Sequence, residues 1–567
     1  MSKRRVLIVG GVAGGATAAA RIRRLDEQAK VVVFERGPYV SYANCGLPYY
    51  VGGEIGRKED LLLQSPASLW DRFRIEVRVQ TEVVAIDRKA RVVTARELST
   101  GREIREAYDA LLLATGAVPV RPPIPGLERP GHFFVRTVPD VEAIRDWIDR
   151  RSCRRAVVVG GGYIGLEMAE QLQRRGLAVA LVEALPQVLG SLDGEMAGWL
   201  HRELRGQGVE LFLSDPVVAF EEAGGGECGA ASVVCLCSGR RLAADIVVVA
   251  LGVRPEVTLA RQAGLELGAL GGIRVDESLR TSDPAIWAVG DAIEVRDRVT
   301  GQWTLLPLAG PANRQSRVAA DNICGRSVQY EGIWGTAIVR VFNLTAACTG
   351  ANEKTLRRLG LPYEAVHLHP NSHAGYYPGA HPLALKVLFH PDTGRIWGAQ
   401  AVGRDGVDKR IDVIATAMQA GLTVDALADL ELAYAPPYGA AKDPVNLAGM
   451  AAQNVRQGLV HLVQWHQLVQ LDPSRTILLD VRTEVERRQG ALPGSVHIPL
   501  HQLRERLEEL PRDREIIVAC QSGQRSYFAC RLLEQRGFRT RNLSGSYRTW
   551  LAAQETAGSA SRSSAAG

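Results

Sequence analysis

Ala156-Val157-Val158-Val159-Gly160-Gly161-Gly162-Tyr163-Ile164-Gly165 begins as an apolar run and ends in an intact G-x-G-x-x-G. The run predicts a buried parallel strand, and the glycines a tight turn into a helix from Leu166 to about Arg175. Ala178 to Val182 predicts the next strand, closed by Glu183. Strand, glycine turn, helix, strand and acid is the spacing a dinucleotide needs. Gly160, Gly162 and Gly165 let backbone amides approach a pyrophosphate, and the acid accepts from a ribose hydroxyl. Glu183 repels a 2′-phosphate, and no Arg or Lys lies between Ala184 and Gly190 to offset it. The pattern selects NADH over NADPH.

A second copy of the pattern opens the chain. Val6 to Val9 predicts a strand that enters Gly10-Gly11-Val12-Ala13-Gly14-Gly15, followed by a helix from Ala16 to about Leu25. The next strand, Val31 to Phe34, ends in Glu35; Val12 stands where the middle glycine is usual. Leu111-Leu112-Leu113-Ala114-Thr115-Gly116 and Ile286-Trp287-Ala288-Val289-Gly290-Asp291 are two further strands, ending in a small-residue turn and in an acid. Two dinucleotide units in one chain predict an α/β protein with two Rossmann-like domains.

Between the first unit's second strand and the rest of the chain lies Ser41-Tyr42-Ala43-Asn44-Cys45-Gly46-Leu47-Pro48-Tyr49-Tyr50. Pro48 marks a helix start close behind Cys45, and the amides and dipole of a helix N-terminus favour thiolate, the reactive form. A lone cysteine is more often a core residue. Its position beside two nucleotide fingerprints, with Cys153 the next cysteine along, points instead to redox chemistry. Such a cysteine has no partner of its own, so its disulfide must form with something brought in from outside.

Composition bounds the rest. The chain has 567 residues, 46% hydrophobic and 23% charged, enough for three or four soluble domains. A net charge of +6 is mild for this length; it argues against a nucleic-acid partner and suits an anionic small molecule. Nine cysteines at irregular spacings make neither a disulfide framework nor a metal-type Cys-x-x-Cys, so no metal site is expected. Val6 to Val9 is cut short by Gly10-Gly11, too soon for a signal peptide, and no apolar run is of membrane length. The expected setting is a reducing cytoplasm.

These motifs resemble those of the two-dinucleotide-domain flavoprotein disulfide reductases, over roughly residues 1–450. The resemblance implies FAD at Gly10, Gly11, Ala13, Gly14, Gly15, Glu35, Thr115, Gly116 and Gly290, with Asp291 meeting the ribityl chain. Cys45 without a second cysteine five positions on resembles the single-cysteine branch, which holds coenzyme A-disulfide reductases, NADH oxidases and NADH peroxidases. Ser41 to Tyr50 is most similar to the coenzyme A-disulfide reductases. By that resemblance Thr17, Arg21, Arg24, Ser41 and Asn44 hold coenzyme A beside the cysteine, with the arginines facing its phosphates; Asn313 and Lys442 match two further contacts. Arg21 and Arg24 are three apart and share a helix face, whereas composition alone reads them as a solvated surface.

Residues 326–450 read as a third unit. Lys386 to His390, a Pro-Asp-Thr-Gly turn and Arg395 to Ala399 predict a β-hairpin, with helices over Asp408 to Ala420 and Val424 to Leu430. In the family this is the dimerisation domain of a homodimer, and Tyr434 together with Tyr376 reaches the partner's cysteine. Pattern alone does not separate Tyr376 from Tyr377. A helix from Ala448 to about Gln467 leads on to a small domain. There Ile516-Ile517-Val518-Ala519 delivers Cys520-Gln521-Ser522-Gly523-Gln524-Arg525-Ser526 to a helix. A cysteine in a loop of amides closing on Arg525 has a cradle for an anion, one that stabilises thiolate or persulfide. The loop resembles that of a rhodanese domain over 462–555, with Cys520 the sulfur carrier; Cys530 reads as core. The tail, 556–567, reads as disordered.

The expected domains are FAD-binding (1–118 and 255–325), NAD-binding (119–254), dimerisation (326–450) and rhodanese (462–555). The expected activity is NADH-dependent reduction of coenzyme A persulfide, polysulfide or coenzyme A disulfide. Electrons reach a Cys45–coenzyme A disulfide through FAD, Tyr376 and Tyr434 assist the departing thiolate, and Cys520 carries sulfane sulfur. The alternatives are an NADH oxidase or peroxidase cycling Cys45 through sulfenic acid, and a sulfur-responsive redox relay.

Overall fold

Why the first strand is buried is plain from its neighbours: Arg5–Val9 sits in the middle of a five-stranded parallel sheet, between Ala110–Leu113 and Lys30–Phe34. Ile286–Ala288 and Glu76–Arg78 form the edges. The computed structural model describes residues 4–223 and 231–563. They form two compact units, 1–180 with 217–333, and 181–216 with 334–567.

In the first unit the helix Ala13–Leu25 leaves the carboxyl end of Arg5–Val9, buries Ala18, Ala19 and Ile22, and packs on the helix Ala309–Ile323, where a Cβ on Gly14 would lie 3.4 Å from Ser316 Oγ. Small residues on that face let the two helices lie close over the sheet. A second parallel set joins Arg155–Val159 to Ile246–Val249 and His132–Phe134. The helix Tyr163–Arg174 follows the glycine turn as expected. Ligands of such sheets bind outside the carboxyl ends of the strands, where the order reverses. In the first sheet that point lies between Arg5–Val9 and Ala110–Leu113, beside Gly10 and Ala114.

In the second unit a five-stranded antiparallel sheet runs Ala337–Val341, Leu344–Gly350, Ile396–Gly403, Ala384–Phe389 and Glu364–Leu368. The expected hairpin is its centre, and Val407–Gln419 and Val424–Asp429 are the expected helices. Lys386, fully buried on this sheet, meets Asp193 at 2.8 Å, Glu195 at 2.5 Å and Glu353 at 3.0 Å. Burial works against the Glu195 carboxylate, but Lys386 and His367 more than offset it and hold it well below its usual range. Five parallel strands make the last sheet, in the order Leu462–Val463, Thr540–Leu543, Glu515–Ala519, Thr476–Asp480, Val496–His497.

Two expectations are corrected. The helix read from Ala448 to about Gln467 runs Pro444–Arg456 and stops before Gly458, at φ +67°. Asp443 starts it, its carboxylate accepting from the Val445 amide, and a short strand and a 3-10 turn follow. The tail read as disordered from residue 556 continues the helix Ser546–Ser563; residues 564–567 lie outside the described residues. That helix packs on Gly194–Gly206, where a Cβ on Gly198 would stand 1.9 Å from the Ala552 carbonyl oxygen. A composition of Ala, Ser and Gly suits a close helix crossing as well as it suits disorder.

Candidate active sites

Each nucleotide turn is built by backbone contacts that exclude a side chain. A Cβ on Gly15 would lie 1.8 Å from the Gly10 oxygen, and one on Gly165 would lie 1.9 Å from the Gly160 oxygen. At Gly162 nothing stands within 4 Å, so this middle position leaves open space against the helix start, where a pyrophosphate fits. The Glu35 carboxylate accepts from the amides of Gly11 at 2.8 Å and Gly37 at 2.7 Å, which fixes it at the strand end. Glu183 ends Ala178–Glu183 and accepts from the Leu185 amide at 2.8 Å. Thr115 donates to the Glu256 carbonyl at 2.6 Å. The Gly290 amide donates to Gln315 at 2.7 Å. Asp291 is half-buried, and among the described residues no donor meets its carboxylate; burial pushes its carboxyl up, with Arg136 opposing. An unmet carboxylate at this strand end suits a polyol chain such as the ribityl of FAD.

Cys45 lies in the one-turn segment Asn44–Gly46, which continues into Leu47–Gly52. Gly46 is required by packing, since a Cβ there would be 2.6 Å from Leu61. The thiolate expectation is corrected for the protein alone: burial pushes the Cys45 thiol up, and the Glu167 and Asp291 carboxylates push it further. The following helix has only six residues, too short a dipole to win. Because thiolate is the reacting form, alkylation of Cys45 by iodoacetamide in cofactor-stripped protein should be slower at pH 7 than for a free cysteine. It should rise with pH past the ordinary value of about 8.5. A rate already level at pH 7 would contradict this.

The coenzyme A candidates of the first unit divide. Thr17 and Asn313, far apart in sequence, meet: the Thr17 hydroxyl donates to the Asn313 side-chain oxygen at 2.6 Å. Arg21 is held by Asp321 through two bonds, of 2.8 and 3.2 Å, so its charge is already paired. Arg24 is exposed and has no such partner among the described residues. Arg23 is buried and donates to the carbonyls of Phe73, Glu27 and Arg74, a structural role. Ser41 adopts φ +48°, pinned by its amide to Gly11 and by its carbonyl to Leu63. Asn44 Oδ1 is buried without a donor, directly beside Cys45. A buried unmet acceptor costs about 1–3 kcal/mol, which an amide- and hydroxyl-rich ligand such as pantetheine would recover.

In the second unit the Tyr376 and Tyr434 hydroxyls meet at 3.0 Å, while Tyr377 packs edge-on to His373. Of the two, Tyr376 is the one whose hydroxyl meets Tyr434. Tyr376 is 77% exposed and Tyr434 48%, so the pair is presented outward. Hydrogen bonding to Tyr434 raises the Tyr376 hydroxyl above its usual range. Lys442 lines a cavity of about 330 Å³ with Leu447, Met450, Tyr527 and the loop residues Ser522 to Gln524.

Cys520 follows the strand Glu515–Ala519 and is 0% exposed. Its sulfur accepts from the Gly523 amide at 3.1 Å and from the Ser526 hydroxyl at 3.3 Å. Its own amide donates to Ser546 Oγ at 3.1 Å. Arg525 is not free: it donates to Glu486 through bonds of 2.8 and 2.6 Å, which pull the Glu486 carboxyl down to about 2. Sequence reasoning missed Glu486, although Thr483-x-x-Glu486 is a legible capping box that places it on the loop's flank. Cys530 is core as read, burial pushing its thiol up to about 12. Among the described residues no helix is long and apolar enough to cross a membrane, and no cluster of His, Cys, Asp or Glu gathers to hold a metal.

Comparison with known proteins follows the same division. Residues 4–313 match the pyridine nucleotide-disulphide oxidoreductases, 336–444 their dimerisation domain, and 465–553 the rhodanese-like domain. The chain is 34% identical over 453 residues to a coenzyme A disulfide reductase of Staphylococcus haemolyticus, covering 80% of this chain and 100% of that one. The structure of reduced Bacillus anthracis CoADR-RHD superposes with a TM-score of 0.95 at 48% identity, over 98% of this chain and 99% of that one. A NAD-dependent persulfide reductase from A. fulgidus superposes with a TM-score of 0.90 at 39% identity, over 96% and 100%.

Proposed function

This chain belongs to the pyridine nucleotide-disulphide oxidoreductases and ends in a rhodanese-like domain, and from that premise we propose that it is an NADH-dependent flavoprotein reductase of coenzyme A persulfide, polysulfide or coenzyme A disulfide. One observation carries the reading. Among the described residues no cysteine is bonded to Cys45, which supports a redox disulfide formed with an incoming thiol. Bound FAD supplies the two-electron link between NADH and that disulfide.

The chain's own residues bind and position. Gly10 to Gly15, Glu35 and Asp291 hold the flavin nucleotide, and Gly160 to Gly165 with Glu183 hold NADH. Asn44 Oδ1 and the Thr17–Asn313 pair face coenzyme A, with Arg24 the arginine whose charge is open to its phosphates. Tyr376 and Tyr434 pass a proton to the departing thiolate across a subunit interface, which makes the working form a homodimer. The described cysteines, all free, suit a cytoplasmic setting. Cys520 carries sulfane sulfur in its cradle of amide and hydroxyl donors.

The test is a mass spectrum of the protein after exposure to coenzyme A disulfide. A coenzyme A adduct on Cys45, discharged by NADH faster than by NADPH, is the expected result. Oxygen additions at Cys45 with no coenzyme A adduct would favour the oxidase or peroxidase reading instead.

A further inference from the structure

The arginine five residues after Cys520, in the first turn of the helix Gln524–Glu534, has its charge spoken for. Arg525 is held bidentately by Glu486, so it brings little net charge to an incoming anion. Yet sulfane donors to a rhodanese cysteine are anions meeting a thiolate, and like charges in a half-buried site repel by several kcal/mol unless a cation intervenes. Arg548 is a cation whose charge is not spoken for. Its amide donates to the Gln521 carbonyl at 3.1 Å, as the Tyr547 amide donates to Cys520, so the backbone ties it to the cysteine loop. Its guanidinium is half-buried, and among the described residues no carboxylate lies within ion-pair distance. Burial pulls it below the usual arginine range, and Arg525 adds to the fall, while Glu486 and Cys520 partly offset it. Arg548 also lines a cavity of about 330 Å³ with Arg202, Arg404, His369, Gln521 and Tyr547, and no Asp or Glu contributes to its wall. Arg202 is shared with Glu555 at 3.5 Å; Arg404 is exposed and unpaired among the described residues.

We propose that Arg548, with Arg404 at the cavity rim, forms an anion subsite that receives the charged end of a dianionic inorganic sulfane donor during sulfur transfer to Cys520. This rests on the sulfurtransferase reading of Cys520 given above. With thiosulfate, the Cys520 thiolate attacks the sulfane sulfur and a new S–S bond forms. The old S–S bond breaks, and its electron pair leaves with sulfite. No proton moves, and the charge that must be held through the step is that of the departing dianion, opposite Arg548.

The experiment compares two donors in the full-length, flavin-loaded protein, with cyanide as acceptor: thiosulfate and a neutral organic trisulfide. In Arg548→Gln, kcat/KM for thiosulfate should fall at least about tenfold, chiefly through KM, as expected for losing a charge-assisted contact. The rate with the trisulfide should stay within about twofold, and Arg548→Lys should recover part of the thiosulfate loss as a point charge. Unchanged thiosulfate kinetics in Arg548→Gln would overturn the subsite. An equal fall with both donors would overturn it too, by showing a structural role. Sulfur transfer absent in the unaltered chain with both donors would instead remove the sulfurtransferase reading on which the subsite rests.

Discussion

Cys45→Ser is expected to lower NADH-dependent reduction of coenzyme A persulfide and disulfide on the order of 10³-fold or more, while NADH still bleaches the flavin. A serine oxygen cannot form the mixed disulfide, and no other described cysteine is placed as a substitute: Cys153 lies on the flank of Trp147 and Asp245, and Cys324 at the end of a helix. The fold should not suffer, because serine is close to cysteine in size and backbone bonds hold the turn, the Ala43 amide donating to the Leu61 carbonyl and the Gly46 amide to the Ala43 carbonyl. Flavin content and stopped-flow bleaching separate a chemical loss from a folding loss. Retained turnover on both substrates would place the redox centre elsewhere.

The second large effect concerns Cys520→Ser. Sulfur transfer from thiosulfate to cyanide should vanish, since the hydroxyl cannot carry a sulfane sulfur. The replacement is nearly isosteric, and the Gly523 amide and Ser526 hydroxyl that face the sulfur can serve an oxygen equally well. NADH-dependent reduction of coenzyme A persulfide should remain within about twofold, the behaviour of independent sites. Coenzyme A persulfide is expected to go straight to Cys45, with no step for Cys520. Should persulfide reduction collapse with flavin content intact, sulfur must pass through the rhodanese loop on its way to Cys45, and the two cysteines form one obligatory relay.

What was legible from the residues was whatever depends on local spacing. Gly160, Gly162 and Gly165 declare a turn because only their backbone can make it, and Glu35 and Glu183 declare their place at the strand ends. Cys520 to Arg525 reads as a loop for the same reason. The contacts that decide charge were not legible, because they join residues far apart in the chain. Arg21 looks available until Asp321 is found against it, and Arg525 until Glu486 is. The Cys45 thiol is raised by burial and then by Glu167 and Asp291, each more than a hundred positions away in the chain. Tyr376 and Tyr377 are equivalent as letters, and only the hydroxyl contact with Tyr434 tells them apart. The tail failed differently: its composition fits a disordered segment, but it continues a helix begun at Ser546, whose partner Gly194–Gly206 is invisible at short range.

That partner also limits how the rhodanese domain can act. The helix Ser546–Ser563 is pressed on Gly194–Gly206 at Gly198. Ser544 accepts from the His367 amide at 3.1 Å, the Thr549 hydroxyl lies 2.9 Å from His369 Nε2, and Gln464 donates to the Ala365 carbonyl at 2.9 Å. A domain riveted at both ends in this way is no passenger on a tether. Cutting it off would strip cover from apolar faces of what stays behind, so single-residue changes are cleaner probes than truncation. Nor can it swing its cysteine toward a distant acceptor like an arm. On the reading proposed above, sulfur taken up on Cys520 is collected there by a small molecule that comes to the loop and carries the atom away.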